Sequence, residues 1–371
     1  MSLRAQDLGI RIGSGTSGPL NAITDVAGVR VGHSSLHQDL SDSRRVRTGV
    51  TVIEPRGGPA RNQPCFAGIS VLNGNGDASG LEWIREAGLL TTPIALTNTH
   101  SVGIVRDALI SLERESLAVG DNSVYWTMPV VMETFDGLLN DINGMHVKAE
   151  HVAQALRVAS SIRPQEGSVG GGSGMICHEF KGGIGTASRQ LSSDEGGWTV
   201  GALVQANHGR RDELRIAGYP VGRLLADIPS PFHSPLAYPG MGSIVVVLAT
   251  DAPLLPHQCT RLAARAGTGI ARCGGGTEDS SGDIFLAFST GNLGLPMADY
   301  QHKGALTTPV TMVNNDHISP LFAAAADAVE ESIINALLAA KTMSGNGGNR
   351  AEELSTERLL KALHRLGWVA Q

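Results

Sequence analysis

Cysteine and aromatic residues are scarce in this chain. Its 371 residues include four cysteines, and phenylalanine, tryptophan and tyrosine together make up 4%. The cysteines form no CxxC pair and no compact framework, so neither a disulfide scaffold nor a cysteine-rich zinc module is predicted. We expect all four thiols to be reduced and buried. They are Cys65, Cys177, Cys259 and Cys273.

The chain also lacks an excess of positive charge and any long apolar run. Its net charge is −6 and its pI is about 6.1, whereas a nucleic-acid-binding protein usually presents a basic face. No apolar segment approaches the length needed to cross a bilayer, and the first residues show no apolar core of a secretory signal. We therefore expect a cytoplasmic protein that binds neither membranes nor nucleic acid.

Two short motifs resemble cofactor or metal sites but lack the required context. The segment GSGTSG, residues 13–18, matches GxGxxG, yet no strand precedes it and Pro19 does not suit the helix that should follow. His33 and His37 are four residues apart without the glutamate of an HExxH zinc motif, and a surface helix or loop explains that spacing. The sequence therefore predicts neither a cofactor nor a metal.

Strand-like and helix-like segments alternate along the chain without a clear linker. Short apolar segments bounded by turn residues predict strands, and they are GVTVIEP, CFAGISVLNG, TPIALTNT, TVGALVQAN, SIVVVLAT and DIFLAFST. Helices are predicted at several segments, including 256–273 and a long one that Ser319 would cap before Pro320. Because strands and helices do not alternate strictly, we expect a layered α/β fold with helices covering stacked sheets.

A serine stands between a glycine and an apolar run in YPGMGSIVVVLATDAP. Ser243 and Gly242 follow a stretch rich in Gly, Ser and Pro, and we expect 227–242 to be an exposed or cleavable loop. The GxSxG pattern of a nucleophile elbow is not present. A serine that opens a strand can instead attack the carbonyl carbon of the residue before it, and glycine permits that close approach. The α-amine that the cut releases can then act as general base for the hydroxyl. A serine that merely caps the strand is the alternative interpretation.

The motifs around this serine resemble those of a known enzyme family. The segments GSIVVVLATDAPLLPHQ, GGIGTASR, GALVQANHGRR, IAGYPVG and SGDIFLAFSTGN are similar to those of the self-processing serine aminopeptidases. That family includes the L-aminopeptidase/D-Ala-esterase/amidase and the β-peptidyl aminopeptidases. Matching motifs extend from ITDVAGVRVGH to SPLFAAAADAVEESIINAL and cover most of the chain. The resemblance implies a four-layer αββα sandwich like that of N-terminal-nucleophile hydrolases, with different strand connectivity.

The resemblance also implies how the chain matures and what it acts on. A precursor would cut itself between Gly242 and Ser243 into a large subunit, 1–242, and a small subunit, 243–371. Family members release N-terminal residues from short peptides, amides or esters that have a free N-terminus. They assemble as homo-oligomers, typically tetramers of the processed heterodimers, and no cofactor is implied.

Seven site residues follow from the same resemblance. Ser243 corresponds to the nucleophile, and Ser281 and Asp283, in EDSSGDIF, correspond to its partners. Asn207, in VQANHG, corresponds to an oxyanion-hole asparagine, whose N–H group can contribute about 3 kcal/mol to the transition state. The resemblance implies three substrate-binding residues as well, and they are Glu133, Trp126 and Phe135.

The substrate-binding residues have distinct implied roles. Glu133, in VVMETFDG, corresponds to an acid that receives the substrate's free amine, because burying an ammonium without a counter-ion is unfavourable. Trp126 corresponds to a pocket aromatic residue. Phe135 stands where some relatives carry tyrosine, so a hydroxyl contribution is absent here and the substrate preference of those relatives does not transfer directly.

Two other classes of function compete with the aminopeptidase. An acyltransferase on a related self-cleaving scaffold, such as the ornithine acetyltransferases, is the closest alternative, although those enzymes typically place threonine after the cleavage site. A binding protein without enzymatic activity is the other alternative. The filled nucleophile, acid and oxyanion positions argue against it.

Overall fold

The described part of the chain contains two main sheets and seven α-helices. The computed structural model describes residues 3–41, 43–117, 124–232, 240–297 and 304–370. In chain order, the strands are β1 (Arg30–Asp39), β2 (Arg45–Glu54), β3 (Cys65–Gly74), β4 (Ala78–Ser79), β5 (Leu89–Leu90), β6 (Ile94–Asn98), β7 (Val130–Thr134), β8 (Ile176–Cys177), β9 (Phe180–Lys181), β10 (Gly183–Gln190), β11 (Thr199–Gly209), β12 (Gly240–Thr250), β13 (Gly282–Ser289), β14 (Met343–Ser344) and β15 (Arg350–Ala351). The α-helices are α1 (Leu81–Ala87), α2 (Val102–Ser116), α3 (Ala149–Arg157), α4 (Pro256–Ala263), α5 (Ala266–Cys273), α6 (Ser319–Ala339) and α7 (Thr356–Arg365).

The sheets differ in size and are mostly antiparallel. One has five strands in the order β1-β2-β6-β7-β4, and the other has six in the order β10-β11-β12-β13-β3-β5. Only β6 with β7 and β12 with β13 are parallel among the described neighbours. Strands β8 and β9 form a short separate hairpin, and so do β14 and β15.

Helices cover the outer face of each sheet. Helices α2 and α3 pack on the five-stranded sheet, whereas α4 and α6 pack on the six-stranded sheet and α5 packs on α6. The inner faces of the sheets meet in a core that contains Leu96 and Met132 from one sheet and Val245 and Leu286 from the other. This order of layers confirms the αββα sandwich.

Strand β12 explains the apolar run that follows Ser243. Val245 and Val247 point into the core between the sheets, whereas Ile244 and Val246 point towards the helices. A strand buried on both faces reads as a continuous apolar run rather than an alternating one. The strand begins at Gly240, so the expectation that Ser243 opens it is wrong. By alternation Ser243 lies on the face between the sheets.

Several local expectations need correction. Helix α6 starts at Ser319 with Ile318 in the N-cap position and no side-chain cap, although a proline does occupy its first turn. The helix predicted over 256–273 is two helices, α4 and α5. His33 and His37 lie on β1 rather than on a helix or loop.

The predicted loop over 227–242 falls partly outside the described residues, which omit 233–239. Residues 227–232 lie outside helices and strands and include the exposed Asp227 and Pro229, although Ile228 is buried. The other end is not a loop, because Gly240–Gly242 belong to β12. Within the described ranges, no helix combines the length and the apolar character that a membrane span requires.

Candidate active site

Ser243 and Asn207 face each other on two neighbouring strands of the six-stranded sheet. They are register partners in the antiparallel β11–β12 ladder, and on its other side Ser243 pairs with Gly282 of β13. The Gly282 backbone N–H donates to Ser243 Oγ, with 3.1 Å between nitrogen and oxygen. Ser243 is only 5% exposed. Its hydroxyl is therefore held where the apolar part of the sheet ends, between a backbone N–H and an amide side chain.

The residue before Ser243 has to be glycine. Gly242 has a φ of +155°, and a Cβ built on it would stand 1.8 Å from the carbonyl oxygen of Asn207 and 3.2 Å from its Nδ2. The ladder shifts register just beyond this point, between Asn207 and Gly209. Such irregularities are common next to active sites, where they redirect side chains. The contact brings the Asn207 amide group beside the Gly242–Ser243 peptide.

The Asn207 side chain is fixed by two backbone groups. The Ile176 N–H donates to Oδ1 over 2.7 Å, and Nδ2 donates to the Phe135 carbonyl oxygen over 2.9 Å. These partners define which end of the amide carries the nitrogen. Nδ2 has a second N–H, which the bond to Phe135 leaves for another acceptor. The amide is buried and oriented, as an oxyanion-stabilising donor must be.

Ser281 and Asp283 flank the glycine that contacts Ser243 Oγ. The Ser281 hydroxyl donates to Asp283 Oδ1 over 2.5 Å, a length typical of a hydroxyl on a charged carboxylate. Burial raises the pKa of Asp283, while the bond from Ser281 and the backbone of Ile244 lower it. Asp283 Oδ2 is buried and has no hydrogen-bond partner among the described residues. This carboxylate can accept a further donor.

Glu133 is a buried carboxylate at the end of β7. It is 3% exposed. Its Oε1 accepts the Asp77 N–H over 2.8 Å, and its Oε2 accepts the Thr99 hydroxyl. Burial raises the pKa of Glu133, the two hydrogen bonds lower it, and smaller electrostatic effects of Asp77 and His100 act in opposite directions. Within the described ranges Glu133 forms no ion pair with lysine or arginine, so a ligand ammonium suits it as a counter-ion.

A glycine places Glu133 close to the strand that carries the Ser243 contact. A Cβ on Gly76 would stand 3.2 Å from Glu133 Oε1 and 3.4 Å from Gly282 Cα. Gly282 in turn bonds Ser243 Oγ. Because Gly76 has no side chain, the Glu133 carboxylate and the Ser243 hydroxyl can border the same small space.

The two predicted pocket aromatics differ in position. Phe135 is 43% exposed, and its carbonyl oxygen accepts the Asn207 amide, so its backbone is part of the site. Trp126 meets Trp83 of α1 edge to face, with ring centroids 5.0 Å apart, and its carbonyl oxygen accepts a bond from Arg61. The described contacts place Trp126 beside α1, and its role in a substrate pocket stays a prediction.

Sequence reasoning missed the groups that position these side chains. The Gly282 N–H is a backbone donor, so no side-chain pattern could identify it. Thr99 and the N–H of Asp77, which hold Glu133, come from segments distant in the sequence. The glycine at 76 was the one available signal, since a glycine between polar residues often marks a close backbone approach.

Comparison with known proteins now becomes informative. Residues 21–351 match peptidase family S58. The chain belongs to this family. It is 46% identical to the beta-peptidyl aminopeptidase BapA of Sphingosinicella microcystinivorans, across 98% of this chain and 93% of that protein. S58 membership makes the chain an aminopeptidase, and it favours this function over the acyltransferase and the binding protein.

Solved structures of similar proteins agree with the S58 assignment. A beta-aminopeptidase from Burkholderia sp. matches with a TM-score of 0.93 and 66% identity, covering 99% of this chain and 100% of that one. The L-aminopeptidase D-Ala-esterase/amidase from Ochrobactrum anthropi, described as a new variant among the Ntn hydrolase fold, matches with a TM-score of 0.89 and 43% identity. That match covers 98% of this chain and 99% of the other. The αββα sandwich is thus of the Ntn-hydrolase type.

Proposed function

We propose that this S58 aminopeptidase activates itself by cutting the Gly242–Ser243 bond and then uses Ser243 as its nucleophile. In the first step Ser243 Oγ attacks the Gly242 carbonyl carbon, the C–N bond breaks, and the hydroxyl proton passes to the departing nitrogen. The result is an ester and a free α-amine on Ser243. Water then hydrolyses the ester, so the chain separates into residues 1–242 and 243–371.

Catalysis on a substrate repeats the same attack with a different base. The freed α-amine has an ordinary pKa of about 8, so it can take the proton from Ser243 Oγ near neutral pH. Oγ bonds to the substrate carbonyl carbon, and the amine returns the proton to the leaving nitrogen. Water then hydrolyses the acyl-enzyme. The second N–H of Asn207 stabilises the oxyanion in both the maturation and the turnover reaction.

The acid groups have separate tasks in this scheme. Asp283, held by Ser281, attracts the new amine and orients it towards Oγ. Glu133 binds the ammonium of a substrate N-terminus, because it is buried without a lysine or arginine partner in the described ranges. The similarity to the Sphingosinicella and Burkholderia enzymes further supports a substrate that begins with a β-amino acid.

One observation supports the proposal more than any other. Asn207 and Ser243 are paired in register, and the carbonyl and amide of Asn207 lie against Gly242, the residue whose carbonyl carbon would be attacked. A serine that only capped a strand would not require this arrangement.

Intact-mass spectrometry of three purified proteins tests the scheme. Wild type should give two polypeptides, with the smaller one beginning at Ser243. Ser243→Ala should give one polypeptide and no release of amino acids from β-alanyl or L-alanyl amides. Ser280→Ala, which alters a neighbouring serine without an assigned role, should be cut as wild type is. A Ser243→Ala protein that matures normally would contradict the proposal.

The predicted assembly is tested separately. We propose a homo-oligomer of processed heterodimers, and sedimentation of the mature enzyme measures its mass directly. A single processed heterodimer with full activity would show that activity does not require assembly into a larger oligomer.

A further inference from the structure

A cluster of one thiol and two imidazoles lies next to the candidate active site, because Cys177 directly follows Ile176 and His208 directly follows Asn207. Cys177 ends β8, His178 follows it, and His208 lies on β11. One ligand atom from each residue falls within 4.8 Å of the others, and all three residues are buried. The distance from Cys177 Sγ to His208 Nδ1 is 3.9 Å. The cluster thus combines the residue types that bind zinc most often.

The His178 ring is oriented by its backbone conformation and by a hydrogen bond from Nδ1. His178 and Glu179 both have positive φ, +47° and +62°, so they form a two-residue turn between β8 and β9 without glycine. His178 Nδ1 donates to the Arg210 carbonyl oxygen over 2.9 Å. This bond leaves the lone pair on Nε2, the tautomer that a metal-binding histidine adopts when a carbonyl holds its other nitrogen.

Both imidazoles have a buried nitrogen without a partner in the described part of the chain. These atoms are Nε2 of His178 and Nε2 of His208. Because His208 Nδ1 is the nitrogen that lies 3.9 Å from Cys177 Sγ, an ion bound among the three residues would satisfy only Nε2 of His178. Buried polar side-chain atoms normally have a hydrogen-bond partner, and a bound ion is one of the explanations for an exception. Glycines leave room for both rings, since a Cβ on Gly209 would stand 2.4 Å from the His178 ring and one on Gly275 would stand 2.8 Å from the His208 ring.

The protonation states suit ligation by the imidazoles. Burial lowers the pKa of His178 to about 4 and lowers that of His208 as well, so both rings are neutral near pH 7. Burial raises the pKa of the Cys177 thiol to about 12. A bound cation would reverse that effect, because the thiol loses its proton to solvent as the metal–sulfur bond forms. The buried amine of Lys181, which interacts electrostatically with Cys177, opposes a cation, and burial lowers its pKa to about 7.

We propose that Cys177, His178 and His208 form a binding site for a divalent transition-metal ion of the zinc class. In a tetrahedral zinc site neighbouring ligand atoms stand about 3.5 Å apart, so atoms that lie within 4.8 Å of one another need to approach by at most about 1.3 Å to bind one ion. Three protein ligands leave a fourth position for water or another donor.

A metal ion at this site would have a structural role and would not take part in the proposed reaction. The His178 N–H donates to the His208 carbonyl oxygen over 2.7 Å, and the Ile176 N–H of the same hairpin holds Asn207 Oδ1. An ion that joins the β8–β9 hairpin to β11 would therefore stiffen the support of Asn207. The inference does not depend on Ser243 being the nucleophile.

The test is metal content after folding in the presence of the ion, because the cluster is buried. Wild type is produced in minimal medium supplemented with Co²⁺, purified without chelator, and analysed for cobalt by mass spectrometry and for a thiolate-to-cobalt charge-transfer band in the near ultraviolet. We expect about one Co²⁺ per chain and the band. Cys177→Ser should lose the band, and Cys65→Ser, a buried thiol in another part of the core, should retain both signals.

Two results would overturn the proposal. One is wild-type protein with neither stoichiometric cobalt nor the band, and the other is a Cys177→Ser protein that keeps the band of wild type. If Cys177→Ser fails to fold, His208→Gln replaces it, because it leaves the thiol in place and should reduce the cobalt content at least tenfold. Equal cobalt in His208→Gln and wild type would overturn the proposal equally.

Discussion

The carbonyl oxygen of Asn207 occupies the space that a side chain on Gly242 would need. A Cβ there would lie 1.8 Å from that oxygen. Asn207 is paired with Ser243, and Gly242 lies in the irregularity of the same ladder, between the Asn207–Ser243 and Gly209–Gly240 pairs, so strand pairing on both sides restricts their separation. The steric requirement for glycine and the proposed cleavage point therefore fall on the same residue.

Gly242→Ala should both destabilise the fold and prevent maturation. Overpacking of this kind lowers the free energy of unfolding by about 1–3 kcal/mol, and displacement of Gly242 moves the carbonyl carbon away from Ser243 Oγ. Urea denaturation measures the first effect in a Ser243→Ala background, where every chain is uncut. Intact mass measures the second in the wild-type background.

Gly103→Ala is the matched control for this glycine. Gly103 lies in α2, and a Cβ there meets no atom within 4 Å. Alanine should raise the stability by up to about 1 kcal/mol through helix propensity and leave maturation unchanged. If Gly242→Ala and Gly103→Ala had the same effect on the free energy of unfolding and on self-cleavage, the close contact between Gly242 and Asn207 would matter for neither.

Asn207→Ala should fold and lose turnover. Removal of one oxyanion-hole donor typically lowers kcat by a factor of about 100–1,000, with a smaller effect on KM. Self-cleavage should slow as well, because the same N–H serves both reactions, so turnover is measured per mole of cut chain. Asn349→Ala, which removes a hydrogen bond from a side-chain amide to the Leu138 carbonyl oxygen, is the control. A kcat within threefold of wild type would remove Asn207 from the reaction.

Glu133→Gln should weaken substrate binding without lowering the stability of the fold. Burial raises the pKa of Glu133, so the folded state binds its proton more readily than the unfolded state does, and wild type loses stability as the pH rises through that pKa. The glutamine variant should therefore be at least as stable as wild type at neutral pH. Its KM for peptides with a free amine should rise at least tenfold, because the counter-ion is gone.

The N-acetylated form of the same peptide is the internal control for Glu133. Wild type should cleave it poorly, and the Glu133→Gln variant should treat the blocked and free peptides nearly alike. Glu82 is an exposed acid and gives a second control. Glu82→Gln should leave the KM for the free peptide and the KM for the N-acetylated peptide unchanged. A variant that keeps the wild-type preference for a free amine would show that another group binds the N-terminus.

Sequence patterns predicted elements better than they predicted contacts. The apolar run 244–248 indicated a buried strand correctly, because burial on both faces leaves a signature in composition. Its start was misplaced, since glycine has little propensity for strand and Gly240 is held in β12 by pairing with Gly209 of β11. The positions of Ser281, Asp283 and Glu133 came from family resemblance, whereas the contacts that hold them depend on backbone groups.

The thiol–imidazole cluster illustrates what sequence spacing cannot reveal. His208 is separated from Cys177 by most of two strands, β10 and β11, so no short metal motif connects them. The sequence therefore favoured a protein without metal. Only the register of the six-stranded sheet and the turn at His178 bring the three side chains together.

Replacing a buried lysine should change the pH dependence of stability in a defined direction. Lys181 is fully buried, and its Nζ donates to the carbonyl oxygens of Gly172, Met175 and Gly182. Burial lowers its pKa to about 7, whereas an unfolded lysine has a pKa of about 10.4. Between these values the unfolded chain holds a proton that the folded chain lacks, so this group makes stability rise with pH.

The difference in free energy of unfolding between wild type and Lys181→Met should therefore increase from pH 7 to pH 10. Loss of the three carbonyl contacts lowers the stability of the variant at every pH, so only the slope is diagnostic. Both proteins carry Ser243→Ala to keep the chain uncut, and groups that titrate alike in both cancel in the difference. Lys361→Met, at an exposed position on α7, is the control for the loss of a lysine charge. A constant difference for Lys181→Met would mean that the amine stays protonated inside the fold, with the carbonyl oxygens alone offsetting its burial.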